Sequence, residues 1–165
     1  MAWGEVVVLP ITALPNLVST MFFNGTKEAA QAFNEPLLKL DAIMNTTGVI
    51  PYPVSNTSPN PKAPPGKRYL FSGANIVHPF DLKMVEEVSD MFHKALAPEG
   101  NHEMKAASMV TFELISRGKV SSVDTATTAF AGRDGQAMNM IINMTGQSPE
   151  KDDEAKHICS NLKDF

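Results

Sequence analysis

The sequence predicts an α+β domain, one antiparallel or mixed β-sheet with helices covering one face. Two observations carry this expectation. Short β-branched or alternating runs are separated by longer stretches that each carry a single apolar stripe at helical spacing. One of these runs, 137–145, alternates with period two, so its sheet presents two chemically different faces, and only one needs a helical cover.

Taken in order, Glu5 to Pro10 is a β-branched run bounded by Gly4 and Pro10, and residues 5 to 11 read as a buried strand. Leu14 to Val18 could begin a helix, while Ser19 to Asn24 reads as the next strand. If those two strands were parallel neighbours, the connection would be too short for a crossover, so a segment is expected to be missing between Val18 and Ser19. Thr26 is the expected N-cap of a helix from Lys27, with Ala29, Ala30, Phe33 and Leu37 on one side. Pro36 should kink or end it. Ala42 to Thr47 could form a strand. From Ile50 to Arg68, six prolines at 51, 53, 59, 61, 64 and 65 predict a long surface loop.

Tyr69 to Val77 reads as a strand. Asp81 to Leu96 is the clearest helix, with Leu82, Val85, Val88, Met91, Phe92 and Leu96 forming its apolar side and Pro98 and Gly100 ending it. Met104 to Ile115 and Ala137 to Thr145 are the remaining strands. Ser148 and Pro149 open a last helix as N-cap and first residue, and its buried stripe is Ala155, Ile158, Cys159, Leu162 and Phe165.

A chain of 165 residues fits one domain, and 43% hydrophobic with 19% charged residues is ordinary for a globular protein. The net charge of −4 argues against a nucleic-acid partner. No apolar run reaches the roughly 18 residues of a membrane span, and the first residues lack the basic region and cleavage site of a secretory leader, so the chain as written is not expected to be secreted. Four Asn-X-Ser/Thr sequons, at Asn24, Asn45, Asn56 and Asn143, nevertheless point to a secretory ancestor. Cys159 is alone, which excludes an internal disulfide, and it reads as a buried small hydrophobe. The acidic run Asp152, Asp153, Glu154 suits a helix N-terminus better than a metal site. His78, His93, His102 and His157 show no metal-ligand spacing, and no nucleophile elbow or local Cys-His signature is present.

The most informative stretch is A-T-T-A-F-A-G-R-D-G-Q-A-M-N-M-I-I-N-M-T-G, residues 126 to 146. A polar turn, Gly132-Arg133-Asp134-Gly135, leads into the alternating strand. With M-F-F-N-G-T-K-E-A-A-Q-A-F-N-E-P-L-L (21–38), G-V-I-P-Y-P-V-S-N-T (48–57) and A-P-P-G-K-R-Y-L-F-S-G (63–73), this stretch resembles, in order and spacing, the substrate domain of the berberine-bridge-enzyme-like, vanillyl-alcohol-oxidase-type FAD-linked oxidases. The resemblance implies an antiparallel sheet with helices on its outer face. Its inner face would close over a flavin held by a separate FAD-binding domain. It also implies hydride transfer from an alcohol, amine or aromatic small-molecule substrate to the flavin, which oxygen reoxidises.

On that resemblance the whole chain, 1–165, is a single partial domain, without the FAD-binding domain or the family's C-terminal segment. FAD belongs to the parent family. None is expected to be bound by this chain alone, because its ten glycines never cluster as a pyrophosphate cradle requires. Aligned on Phe130 and Arg133, Asn139 stands where many relatives place a carboxylate base, and Leu114 where some place a Tyr. Gly132 replaces the usual His. An amide cannot accept a proton at neutral pH and a Leu cannot hydrogen-bond. Arg133 is expected to brace the turn.

Alternation puts Met138, Met140, Ile142 and Met144 on the core side and Ala137, Asn139, Ile141 and Asn143 on the other. The substrate-pocket candidates are thus Asn139, Ile141, Leu114 and Tyr52, the last from the 48–57 segment; no metal ligand or catalytic residue is assigned. A second reading from a different class is a small non-enzymatic α+β binding or dimerisation domain. In that reading the uncovered sheet face, expected to be apolar, mediates self-association.

Overall fold

The computed structural model describes residues 2–9, 16–55, 65–77, 81–97, 99–115, 118–129, 133, 136–146 and 148–164. Five strands, β1 (Ala2–Leu9), β2 (Asn16–Phe23), β3 (Arg68–Val77), β4 (Met109–Ile115) and β5 (Gln136–Gly146), form one sheet in the order β2-β1-β4-β5-β3. Each neighbouring pair is antiparallel. Between and after them lie α1 (Lys27–Phe33), α2 (Glu35–Leu38), α3 (Tyr52–Ser55), α4 (Leu82–Ala95), α5 (His102–Ala107), α6 (Gly118–Ser121) and α7 (Asp152–Lys163). The α+β class and the one-sided helical cover are as the sequence implies.

β1 and β2 are an antiparallel hairpin, with Val7 opposite Val18 and Ala2 opposite Phe23. Such a pair needs no crossover helix, so the gap expected at Val18 and Ser19 has no structural basis. Residues 16–18, offered as a helix start, are strand; Leu14 and Pro15 lie outside the described residues. The Thr26 hydroxyl accepts the Ala29 N–H at 3.2 Å, the expected N-cap of α1. That helix stops at Phe33, and Pro36 sits in the first turn of a separate α2, where its missing N–H costs nothing. Ala42 to Thr47 forms no strand.

α4 opens where the Asp81 carboxylate accepts the Lys83 N–H at 2.9 Å. Its Val88, Phe92 and Leu96 are buried, with Val85 and Met91 half-buried against them, whereas Leu82, assigned to the same stripe, is 70% exposed. Of the strand expected over Met104 to Ile115, the first part is helical, 102–107, and β4 begins only at Met109. Glu103, Met104, Lys105 and the alanines favour a helix, and the extended backbone of Ser108 ends it. Ser148 caps a 3-10 turn over Pro149–Lys151 that runs into α7, whose stripe Ala155, Ile158, Cys159 and Leu162 is buried. Phe165 lies outside the described residues.

The core is the contact between these helices and one side of the sheet. Val110, Phe112, Met140, Ile142 and Met144 meet Val88, Phe92, Leu96, Met104, Ile158 and Leu162. Each such large side chain contributes about 1.5–3 kcal/mol on burial. One buried polar group interrupts the layer. The Asn101 amide donates to the Ala95 carbonyl at 3.3 Å and to Glu154 Oε1 at 2.7 Å, while its oxygen accepts from Lys151 Nζ at 2.9 Å. Lys151 also bridges to Glu154 at 2.7 Å, so the network is closed and ties the end of α4 to the start of α7. Arg68 and Asp152 form a bidentate pair between the first residues of β3 and α7; being well exposed, it adds little to stability.

Gly73 in β3 lies opposite Ile141, and an added Cβ would stand 2.4 Å from the Met140 carbonyl oxygen. Backbone cannot move aside as a flexible side chain can. Gly73→Ala should therefore lower the unfolding free energy by about 1–3 kcal/mol in a urea titration, the ordinary cost of overpacking. A second expectation concerns acid. The Glu154 carboxyl is held below its ordinary value of 4.5, first by the Lys151 hydrogen bond and then by Asn101. Its stabilising contribution is complete above that ordinary value and is lost as pH falls through the lower folded one. Lys151→Met should accordingly flatten the acid limb of melting temperature against pH; an unchanged limb would show that the network carries no such linkage.

Candidate functional site

The side of the sheet away from α4 and α7 is set by register. Directly paired residues point to the same face, so Met109, Thr111, Glu113 and Ile115 of β4 share that face with Asn139, Ile141, Asn143 and Thr145 of β5. Tyr69, Phe71, Gly73 and Asn75 of β3 complete it on one side. Its far end is closed: Thr111, Asn143 and Thr145 are 5%, 6% and 3% exposed. The Ser108 hydroxyl accepts the Thr145 N–H at 2.9 Å there, and the Thr145 hydroxyl donates to Asn143 Oδ1 at 3.4 Å. Toward the other end Glu113, Asn139 and Ile141 are half-buried and Asn75 is exposed, while Phe71, paired with Asn143, is exposed beside the closed end. Of the sequon asparagines Asn143 is buried, whereas Asn24 and Asn45 are exposed. Asn56 lies outside the described residues.

One register row runs across β4, β5 and β3: Glu113, Asn139, Asn75. Every member is polar, and adjacent Cβ atoms in such a row stand about 4.5–5.5 Å apart. By the same register this face, expected to be apolar, also carries Val18, Phe22, Tyr69, Phe71, Met109, Ile115 and Ile141, so among the described residues it is mixed, a polar row set between apolar neighbours.

The four pocket candidates are not one site. Asn139 and Ile141 lie together on this face. Leu114 pairs with Met138 and belongs to the opposite, helix-covered face, 40% exposed at the end of β4. Tyr52 packs edge-on against Phe22 of β2, ring centroids 6.0 Å apart. β2 is separated from β5 by β1 and β4, roughly 14 Å at ordinary strand spacing. Glu113, one residue before Leu114, is the carboxylate that faces Asn139, and sequence reading passed over it. The signal was present: counting by twos along F-E-L-I places Glu113 out of phase with buried Phe112.

Arg133 braces its turn. Its Nη1 donates to the Val120 carbonyl at 2.8 Å and its Nη2 to the Thr128 hydroxyl at 2.6 Å, while Ser121 donates to the Arg133 carbonyl at 3.3 Å. Residues 130–132 and 134–135, including Phe130 and Gly132, lie outside the described residues.

Elsewhere, Asp152, Asp153 and Glu154 occupy the first turn of α7, each paired with a cation: Arg68, Lys156 and Lys151. Burial pushes the Cys159 thiol up, which keeps it protonated and unreactive, and pushes the His93 imidazole down. No three His, Cys, Asp or Glu among the described residues are grouped to hold a metal, and none of the described helices is long and apolar enough to cross a membrane. Two concavities, of about 120 and 370 Å³, lie at the α5–α7 end of the helical layer and not on the polar row.

No protein-family model and no curated protein matches the sequence. Solved structures do match. CrmK, a flavoenzyme involved in shunt product recycling in caerulomycin biosynthesis, superposes with a TM-score of 0.67 at 15% identity over 98% of this chain and 32% of its own. Aclacinomycin oxidoreductase gives 0.64 at 19%, over 98% and 32%, and the berberine-bridge-enzyme-like protein 28 of Arabidopsis thaliana 0.66 at 10%, over 98% and 35%. These are flavin-linked oxidoreductases, and the chain has the fold of one part of them, spanning about a third of their length.

The Arg133 contacts generate one expectation. Arg133→Ala should lower the urea midpoint by an amount equivalent to about 1.5–3 kcal/mol, as for hydrogen bonds from a charged donor. Thr128→Val, which removes one neutral acceptor, should cost less.

Proposed function

We propose that this chain is the substrate-binding part of an FAD-dependent oxidoreductase, and that its polar sheet face is the wall on which a small alcohol, amine or aromatic substrate rests. The observation that carries the reading is the polar row on the uncovered face of a fold that flavin-linked oxidoreductases share over this chain's whole length. The flavin in an intact protein belongs to a separate domain and supplies the hydride acceptor.

The residues of this chain bind, orient and take a proton. The Asn139 and Asn75 amides can each donate to and accept from a substrate hydroxyl or amine. Glu113 Oε is the proton acceptor within reach of a group held by Asn139, a role the amide itself cannot fill. Ile141, two residues along β5 from Asn139 on the same face and half-buried, offers an apolar surface beside them. The second reading, a non-enzymatic binding or dimerisation domain, draws on a different feature, the exposed apolar stretch after α2.

The test begins with the coding sequence flanking residues 1–165. A Gly-rich FAD-binding domain is expected there, and the two expressed together should retain flavin absorbance through gel filtration. The isolated chain mixed with FAD should emerge colourless. In the joined protein Glu113→Gln should keep its flavin yet slow substrate-dependent flavin reduction by about 10²–10⁴-fold. A flank with no such domain sinks the oxidoreductase reading, and unchanged reduction by the variant removes Glu113 from the mechanism.

A further inference from the structure

The three sequons among the described residues differ in geometry. An N-linked glycan needs an accessible Asn amide nitrogen, a hydroxyl two residues on, and a place in the folded chain that stays in solvent. Asn143 fails the last of these: it is 6% exposed, on β5 between β4 and β3, and its Oδ1 accepts from Thr145. Asn24 is exposed, but the hydroxyl of its sequon, on Thr26, is engaged as the N-cap of α1, where it accepts the Ala29 N–H.

Asn45 meets all three conditions. Every residue from Glu35 to Val54 is exposed, and 41–51 contains neither helix nor strand. Asn45 Oδ1 accepts the Thr47 N–H at 2.9 Å, which closes a turn between the two ends of the sequon Asn45-Thr46-Thr47. Among the described residues the Asn45 amide nitrogen and the Thr47 hydroxyl hydrogen-bond to nothing. The bond to Oδ1 pulls electron density toward the oxygen, so the amide N–H gives up its proton more readily. A turn of three residues owes nothing to tertiary structure: it can form on the emerging chain, and the fold afterwards leaves it in water.

We infer that Asn45 is an acceptor for an N-linked oligosaccharide. The donor is a polyprenyl-pyrophosphate-linked oligosaccharide, presented by a membrane transferase of the secretory route. Asn45 Nδ2 bonds to the anomeric carbon of the first sugar as the bond from that carbon to the pyrophosphate oxygen breaks. The polyprenyl pyrophosphate leaves with the electron pair, and the amide proton passes to a base of the transferase. The inference is independent of the flavin reading and concerns a segment away from Glu113 and Asn139.

The full chain expressed in a eukaryotic host behind a cleavable secretion leader tests it. Cell-retained and secreted material are pooled, because transfer occurs on entry to the route and does not wait for folding. Peptide:N-glycosidase should speed migration on a denaturing gel and convert the glycosylated Asn45 to Asp, located by peptide mass spectrometry, with Asn45 more fully occupied than Asn24. Asn45→Gln should lose one glycan's share of the mobility shift. Thr47→Val, which keeps the backbone N–H of the turn and removes the hydroxyl, should lose the same share, and Thr47→Ser should retain it. A wild-type chain without a glycan, one that carries it on Asn24 in preference to Asn45, or a mobility shift that Asn45→Gln leaves whole would each overturn the inference.

Discussion

The constraint on which the molecule depends is the packing of alternate residues of β5 against the helices. Met140, Ile142 and Met144 lie in the core beneath α4 and α7, and with a two-residue period that leaves Asn139, Ile141 and Asn143 no choice but the other face. β4 and β3 take their register from β5, so Phe112 and Ala74 fall on the core side of Met140 while Glu113 and Asn75 fall beside Asn139. A slip of one residue would exchange the two sets and put a carboxylate under Phe92. The polar row is therefore a by-product of packing as much as a device for chemistry.

Much of the fold was legible because the local signals agree with the packing. Thr26 and Asp81 cap the helices that their positions announce, and the stripe of α7 is the one that periodicity predicts. The failures occur where a short apolar run allows two periods. Met104 with the alanines after it reads as the start of a strand, but Met104 reaches the core from a helical turn, and the chain becomes extended only at Ser108. Leu82 fits the α4 stripe by spacing and still faces water. Partner direction is likewise absent from a single strand's pattern, which is why β1 and β2 suggested a missing crossover when they form a hairpin.

The site was legible only in part. Asn139 and Ile141 follow from alternation alone. Leu114 was reached by aligning motifs, and a one-residue offset in such an alignment crosses the sheet, which hides Glu113 behind its neighbour. Tyr52 shows the opposite limit: it belongs to a recognisable segment, yet its distance from Asn139 depends on strand order, and nothing in the local sequence states that β1 and β4 intervene.

That strand order also has a consequence in time. β1 and β2 pair at once, but the free edge of β1 is satisfied only by β4, about 100 residues later, and β3 waits for β5 across α4, α5 and β4. Most of the sheet therefore forms through non-local pairings whose loop-closure entropy must be met before the core rewards it. During synthesis the β1–β2 ribbon stands with one unpaired edge until residues 109–115 have emerged, the interval in which this chain is most open to pairing with the wrong partner.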